Sequence, residues 1–452
     1  MRKTIIKHGI ITIALLAGSA ILRFPFIGHP PVIVFDEGIN ASFATNIIRH
    51  EKYFDVHPPL AHLLFAAVAR ETTMKQELSM LPRESFNQFK YKNARLITAT
   101  AGILLPPIIY LFGAMLYPYL LALVAALFVL FDNALIIYSR FVLPDIILIT
   151  CGMFGLLFLL LSYKTENKTA NAVFIILSGV FIGLAISVKW TALAYFLIAC
   201  AIIIQKTIKN NFIGAVLKKS AVRILSIATI IIIIYISVFS ILFYRFEKMP
   251  NVSASNPNTG FYYPQKYLSE ISRANASFPS ILYTMPRHTL YMLKANAVFQ
   301  NKSFASYPFE WPLNRGTMLF WKNNENGAKI VLAGNIMSWA LAFFAVFAAL
   351  SIIAIGIFMP KIKERFLFPD MSENILIWYL ISYLPLFYLG RDLFLYNYFT
   401  AMIISYLMVP AIFPIFLRIF GMSEKTQKYF WYSIIALIAI SFAAQSQITY
   451  GF

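Results

Sequence analysis

The sequence predicts an all-α polytopic membrane protein with about eleven transmembrane helices and two large outer loops. Two observations carry that expectation. Hydrophobic residues make up 60% of the 452-residue chain and only 13% are charged, against roughly half apolar and about a quarter charged in soluble domains. The apolar residues are also grouped in runs of about 17–25, the length a helix needs to cross a bilayer.

The runs fall at residues 8–27, 96–116, 118–138, 142–162, 171–188, 190–205, 222–244, 331–358, 374–389, 393–417 and 430–448. Very short links join neighbours around 117, 139, 189 and 391. The opening MRKTIIKHGIITIALLAGSAIL has the look of a secretory signal, with Gly18-Ser19-Ala20 as a cleavage-like site. The apolar run continues past it to Ile27, so an uncleaved first helix is expected. Three regions follow: 1–244, a transmembrane module containing a first outer loop at 28–95; 245–330, a second outer loop; and 331–452, a C-terminal four-helix region.

The net charge is +19. No nucleic-acid motif accompanies it, and Lys and Arg collect in the cytoplasmic loops of membrane proteins. The basic groups are Arg2, Lys3 and Lys7; Lys164 and Lys168; Lys206, Lys209, Lys218, Lys219 and Arg223; Lys361, Lys363 and Arg365; and Arg418, Lys425 and Lys428. They fall at alternate loops, which assigns those loops to the cytoplasm and segments 28–95 and 245–330 to the outer face. Cys151 and Cys200 both lie inside apolar runs, which argues against a loop disulfide framework or a thiolate zinc site.

Within the first outer segment, Ile39, Phe43, Ile47 and Ile48 repeat at helical spacing and predict an amphipathic helix lying in the interface. LAHLLFAAVA, residues 60–69, is too short to span and reads as interfacial or re-entrant.

Three tiny outer links each carry a basic residue: Arg140 in YSRFVLPD, Lys189 in SVKWTA and Arg391 in YLGRDLF. The topology rule gives no reason for cations there, and ionisable groups at such depth are costly and mark functional cavities. Each has a plainer alternative, snorkelling to the headgroups from a helix end. Converging Arg and Lys instead suit a phosphate, through charge-assisted hydrogen bonds.

The same face carries Asp36 and Glu37. Neighbouring helical positions diverge, so the two cannot be the facing carboxylates of a glycoside hydrolase. By spacing alone Asp36 reads as an N-cap and Glu37 as a favourable charge on the helix dipole. The alternative is that one faces a cavity while the other orients it. Asp55, His57, Pro58 and Pro59 form a rigid turn, in which a lone His reads as a hydrogen-bonder before a metal ligand. Metal-ligand spacing, a G-x-S-x-G elbow and a Walker loop are all missing from the sequence.

Taken together these stretches resemble the protein O-mannosyltransferases, polytopic enzymes that use a polyprenyl-phosphate sugar. The resemblance rests on FDE at 35–37 followed by YFDVHPPLAH at 53–62, then YSRFVLPD at 138–145 and GVFIGLAISVKW at 179–190. It continues through SYPFEWPLNRGTMLFW at 306–321, GNIMSWA at 334–340 and RDLFLYNYF at 391–399, in order along nearly the whole chain. There are departures. Ala61 and His62 replace an expected Gly and Lys, and Gly316 and Ile336 stand where prolines are expected. The second outer loop is too short for the trefoil-like module of the eukaryotic enzymes, which implies a bacterial or archaeal type.

The resemblance implies a glycosyltransferase C fold and an inverting enzyme of the plasma membrane. Its reaction would move a mannosyl (hexosyl) residue from polyprenyl-phosphate mannose to Ser/Thr hydroxyls of secreted or membrane proteins on the extracytoplasmic side. In that scheme Asp36 and Glu37 form the catalytic pair, Asp36 as the base and Glu37 chiefly positioning. Arg140, Lys189 and Arg391 bind the donor phosphate, and Asp55, His57 and His62 line the acceptor cavity. An ordinary Asp titrates near ~4, so its low basicity implies late proton transfer. The bilayer holds the polyprenyl chain, and nucleic acid plays no part. No metal ligand is assigned, although a divalent cation near the phosphate stays open. Two other readings stand beside this one: a C-fold transferase acting on a lipid or glycan, and a transporter, whose matching broken-helix repeats are not seen.

Overall fold

The computed structural model describes residues 2–69, 82–208, 213–247, 278–298, 305–358 and 370–452. Lys209, Lys361, Lys363 and Arg365, and the loop stretches 70–81, 248–277 and 299–304, lie outside the described residues.

The helices are α1 (Arg2–Arg23), α2 (Glu37–Ile48), α3 (Leu60–Ala69), α4 (Tyr91–Ala114), α5 (Tyr119–Leu130), α6 (Asn133–Ser139), α7 (Asp145–Ser162) and α8 (Lys168–Ile186). They continue as α9 (Leu193–Ile208), α10 (Ile213–Arg245), α11 (Phe278–Val298), α12 (Ile336–Phe358), α13 (Asp370–Tyr383), α14 (Phe399–Ile419), α15 (Glu424–Ala444) and α16 (Ser446–Tyr450). Among the described residues nine helices are long and apolar enough to cross a membrane, and the bent pair α5–α6 makes a tenth. The chain is a multi-span membrane protein.

Two of the expected spans differ from the sequence reading. The run at 118–138 bends by 58° between α5 and α6, because Asp132 interrupts it and caps α6, its Oδ1 accepting from Leu135 N at 2.8 Å. The run at 374–389 is shorter than a span: α13 gives way to a 3₁₀ turn at Leu384–Tyr388, where Pro385 removes a helix donor.

The expected interfacial helix is also different. Leu60–Ala69 is a short helix as read, but α2 buries Asn40, Ser42 and Thr45 as well as Ala41, Phe43 and Ile47. Its polar residues find partners inside the protein: Thr45 donates to Ala41 O at 2.8 Å, and Asn40 to Asp36 O at 3.0 Å. Helical spacing of apolar residues does not distinguish a helix floating on lipid from one enclosed by the chain.

Helices α7 and α8 pack closely because Gly155 admits Ile182, and Gly179 and Gly183 bring α10 onto α8 in the same way. The segment between α11 and α12 adds an antiparallel hairpin, β1 (Met318–Lys322) with β2 (Lys329–Leu332), so the fold is helical with one small sheet. Gly316, just before β1, has φ +77°. A proline cannot adopt that conformation, so this departure from the family pattern is a requirement of the local backbone. Helix α16 packs against β2.

A buried carboxylate joins the two halves. Asp132 Oδ2 accepts from Trp339 Nε1 at 2.9 Å and from Tyr406 OH at 2.6 Å, and Asn133 donates to Thr449 at 2.6 Å. The main hydrophobic cluster reaches from α1 to α15, and a second, smaller one joins Phe54 with Phe239 and Phe243 of α10 and Ile281 and Met292 of α11. Helices α7–α10 alternate in direction, and α4 runs the same way as α7. One set of their ends carries Arg95, Asp145 and Lys189, and the other carries Met115, Lys164, Lys206 and Arg223.

Candidate active site

The FDE turn is held rigidly from both sides. Phe35 has φ +49°, uncommon for a non-glycine residue, and its ring stacks on Phe320 of β1 at 4.7 Å and 6°. Glu37 supplies the other anchor. It is fully buried and pairs with Arg95 at the start of α4, Nε to Oε1 at 2.8 Å and Nη2 to Oε2 at 2.7 Å. Its oxygens also accept from Val34 N at 3.1 Å and Val142 N at 2.8 Å. Arg95 donates further to the carbonyls of Ile27, Pro30 and Val32. Both Glu37 oxygens are therefore committed to the protein.

Asp36 is different. It occupies the N-cap position of α2, yet its side chain makes no capping hydrogen bond, so the N-cap reading does not account for it. Its carboxylate is half-buried beside Lys189, Asp145, Tyr138 and Tyr396. Burial pushes it up to about 6; Lys189 pulls the other way and Asp145 adds to the rise. Asp36 is thus a stronger base than its residue type suggests.

Lys189 projects from the extended link after α8. Its Nζ donates to Asp145 at 3.1 and 3.3 Å and lies 5.0 Å from the Tyr396 ring centroid. Tyr138 OH donates to Oδ2 of the same carboxylate at 3.0 Å. Asp145 opens α7, where the helix dipole favours an anion.

The 53–62 stretch forms the facing wall. Prolines 58 and 59 keep the preceding residues extended, and Leu60 N then donates to Ser187 O at 3.0 Å, tying α3 to the Lys189 link. Asp55 accepts from the amides of Val56 and His57, with Lys189 and Arg391 nearby, and burial raises it to about 7. His57 is held well below the usual range by burial and by Lys189 and Arg391, so it is neutral. Asn296 of α11 clips this wall in place, donating to Val56 O at 2.7 Å and accepting from Arg391.

Lys189 thus lies near Asp36, Asp55 and His57, and Arg391 near Asp55 and His57. His62 stands behind Asp55, and Arg140 lies elsewhere. His62 is buried between α2 and α3, within 3.2 Å of Asn40 Oδ1 and packed on Phe43 at 5.0 Å. Its Nε2 also lies 3.8 Å from Asp55 Oδ2, so it backs the Asp55 carboxylate. Arg140 is 1% exposed and belongs to a second group beyond the Glu37–Arg95 pair. It donates to Phe26 O at 2.9 Å and lies 4.6 Å over the Tyr450 ring, while its Nε and Nη1 have no hydrogen-bond partner.

Asp145, Arg95, Tyr138, Tyr396 and Asn296 were not singled out from the sequence. Asp145 and Arg95 carried the same signal as Arg140, an ionisable residue at the outer end of an apolar run. The tyrosines and Asn296 had no such signal. Among the described residues no three His, Cys, Asp or Glu side chains converge as a metal site.

Comparison with known proteins adds the family. A sequence model described as dolichyl-phosphate-mannose-protein mannosyltransferase matches residues 13–247, more than half of the chain. The chain belongs to this family. A second model, the C-terminal four-transmembrane region of protein O-mannosyltransferase, matches residues 285–452. Dolichyl-phosphate-mannose–protein mannosyltransferase 1 of Schizosaccharomyces pombe is 31% identical over 204 residues, 41% of this chain and 22% of that protein. Protein O-mannosyl-transferase 1 of Danio rerio is 28% identical over 249 residues, 52% of this chain and 34% of that protein. The matches thus span well under half of these relatives' lengths.

Among solved structures, the S. cerevisiae protein O-mannosyltransferase Pmt1–Pmt2 complex bound to the sugar donor superposes with a TM-score of 0.82 at 15% identity. That match covers 98% of this chain and 90% of the other. The Archaeoglobus fulgidus oligosaccharyltransferase gives 0.54 at 12% identity, covering 97% of this chain and 53% of that one. The family's fold is the glycosyltransferase C fold.

Proposed function

We propose that this chain transfers a mannosyl residue from polyprenyl-phosphate mannose to Ser/Thr hydroxyls of proteins on the outer face of the membrane. The observation that carries the reading is the Asp36 carboxylate on its rigid turn, uncapped, partly accessible and beside Lys189. Family membership supports the donor and acceptor classes.

In this reading the acceptor oxygen attacks the anomeric carbon from the face opposite the phosphate, and its proton passes to Asp36. The bond from the anomeric carbon to the phosphate oxygen breaks, and polyprenyl phosphate departs as an anion. A base near 6 is ionised at neutral pH and returns its proton to solvent after turnover. Lys189 and Arg391 stabilise the growing phosphate charge electrostatically. Arg140 stands apart from these two, beyond the Glu37–Arg95 pair, and its two buried guanidinium nitrogens without partners are left for an anionic oxygen on that side. Glu37 positions Asp36 by holding the turn to α4. Asp55 and His57 receive the acceptor.

The test supplies the detergent-purified full chain with polyprenyl-phosphate tritiated mannose and a Ser/Thr-rich peptide. Asp36→Asn is expected to lower peptide labelling by about 10²–10⁴-fold with an unchanged melting temperature. Labelling that survives the substitution removes Asp36 as the base. Unlabelled peptide with the unsubstituted protein, alongside labelled lipid, moves the acceptor class from protein to lipid or glycan.

A further inference from the structure

At the ends of α7–α10 opposite Asp36 the structure holds a cavity of about 390 Å³ that the transfer reaction does not use. Four cations from three separate segments line it: Lys164 after α7, Lys206 near the end of α9, and Lys219 and Arg223 on α10. Among the described residues no acidic side chain lines it. Arg223 lies 4.3 Å over the Tyr163 ring, and its Nη1 is buried without a hydrogen-bond partner. Thr207 adds a hydroxyl, and Met115, Leu116 and Leu160 form an apolar wall.

We propose that this cavity binds the phosphate headgroup of an anionic lipid in the leaflet opposite the Asp36 site. Like charges gathered round one space repel one another, and a phosphate there reverses the sign of that interaction. The topology rule accounts for cations scattered through the loops at this face, but not for four of them converging with an aromatic ring on a single cavity. Basic pockets between transmembrane helices take phospholipid headgroups in this way. The apolar wall favours a lipid phosphate over a free one, since acyl carbons can lie against it. The volume is in the range of small-ligand sites, roughly 300–1,000 Å³. Helix α7 separates the two sites by about 27 Å, 18 residues at about 1.5 Å each, so occupancy here does not require the sugar donor.

The experiment is native mass spectrometry of the full chain in detergent, titrated with phosphatidylglycerol, phosphatidylcholine or inorganic phosphate. Phosphatidylglycerol is expected to be retained over phosphatidylcholine. Lys164→Gln with Lys219→Gln, both exposed positions, is expected to weaken retention about 30-fold, at about 1 kcal/mol per cation. Arg223→Gln is a second variant on the same readout. Lys425→Gln with Lys428→Gln removes two exposed charges elsewhere and is expected to leave retention unchanged. Equal losses in the two lysine pairs, or no preference for phosphatidylglycerol, overturn the site. Inorganic phosphate binding as tightly as the lipid overturns the lipid assignment and makes the cavity a free-phosphate site.

Discussion

Asp36 and Asp55 both lie near Lys189, yet burial acts on them to different ends. Asp36 rises to about 6 and keeps partial access. Transfer by it follows its ionised fraction, so kcat/KM is expected to be flat above about pH 7 and to fall about tenfold per unit below about pH 6. A profile measured between about pH 4.5 and about pH 8 checks this, and an inflection near 4 would assign the base elsewhere. Asp55 rises from the ordinary 3.8 to about 7. Between those values the folded chain holds a proton that the unfolded chain has released. Asp55 therefore lowers stability as pH rises through that window, by up to about 1.4 kcal/mol per pH unit, with no further change above it. His57 and His62, held below their usual 6.5, act in the opposite sense, lowering stability as pH falls below 6.5. The Asp55 contribution is thus read as the difference between Asp55→Asn and the unsubstituted chain. That variant is expected to be the more stable at about pH 8, with the gap in melting temperature narrowing towards about pH 5.

At the scale of elements, one ion pair positions the site. Glu37 on α2 and Arg95 on α4 are both fully buried and make two hydrogen bonds to each other. Arg95→Met alone leaves Glu37 buried and unpaired, which costs about 3–5 kcal/mol. Replacing both, Glu37→Leu with Arg95→Met, removes the stranded charge and is expected to recover part of that loss. Thermal unfolding in detergent separates the outcomes. If the double variant is as unstable as the single, the hydrogen bonds to Val34, Val142 and the α1–α2 segment carry the effect instead. Helix α2 itself shows why a side-chain pattern misleads at this scale, because its buried Asn40 and Thr45 satisfy their polar atoms on backbone carbonyls.

Across the whole molecule, Asp132 ties the N-terminal helices to the C-terminal ones. It accepts from the α6 backbone, from Trp339 on α12 and from Tyr406 on α14. Asp132→Ala removes a cap worth about 1 kcal/mol and strands two buried donors at about 1–3 kcal/mol each. The expected result is a loss of several kcal/mol and faster proteolysis between the halves. Trp339→Phe, which strands nothing, is expected to cost less. Equal effects would point to indole packing instead. The same connection brings the β-hairpin and α16 to the site end, where Phe320 braces Phe35.

The membrane class and most of the spans were legible in the sequence. Hydropathy and charge placement report directly on what each residue would lose in lipid. Only the tertiary structure decided that Glu37 is spent on Arg95 while Asp36 is not spent on a cap, because the two differ in partners distant along the chain and not in local context. It alone divided Arg140 from Lys189 and Arg391, and set His62 between Asn40 and Asp55. Spacing says which end of a helix a side chain occupies. Which neighbours surround it there, and how far burial shifts its proton affinity, depends on helices brought together from the whole chain.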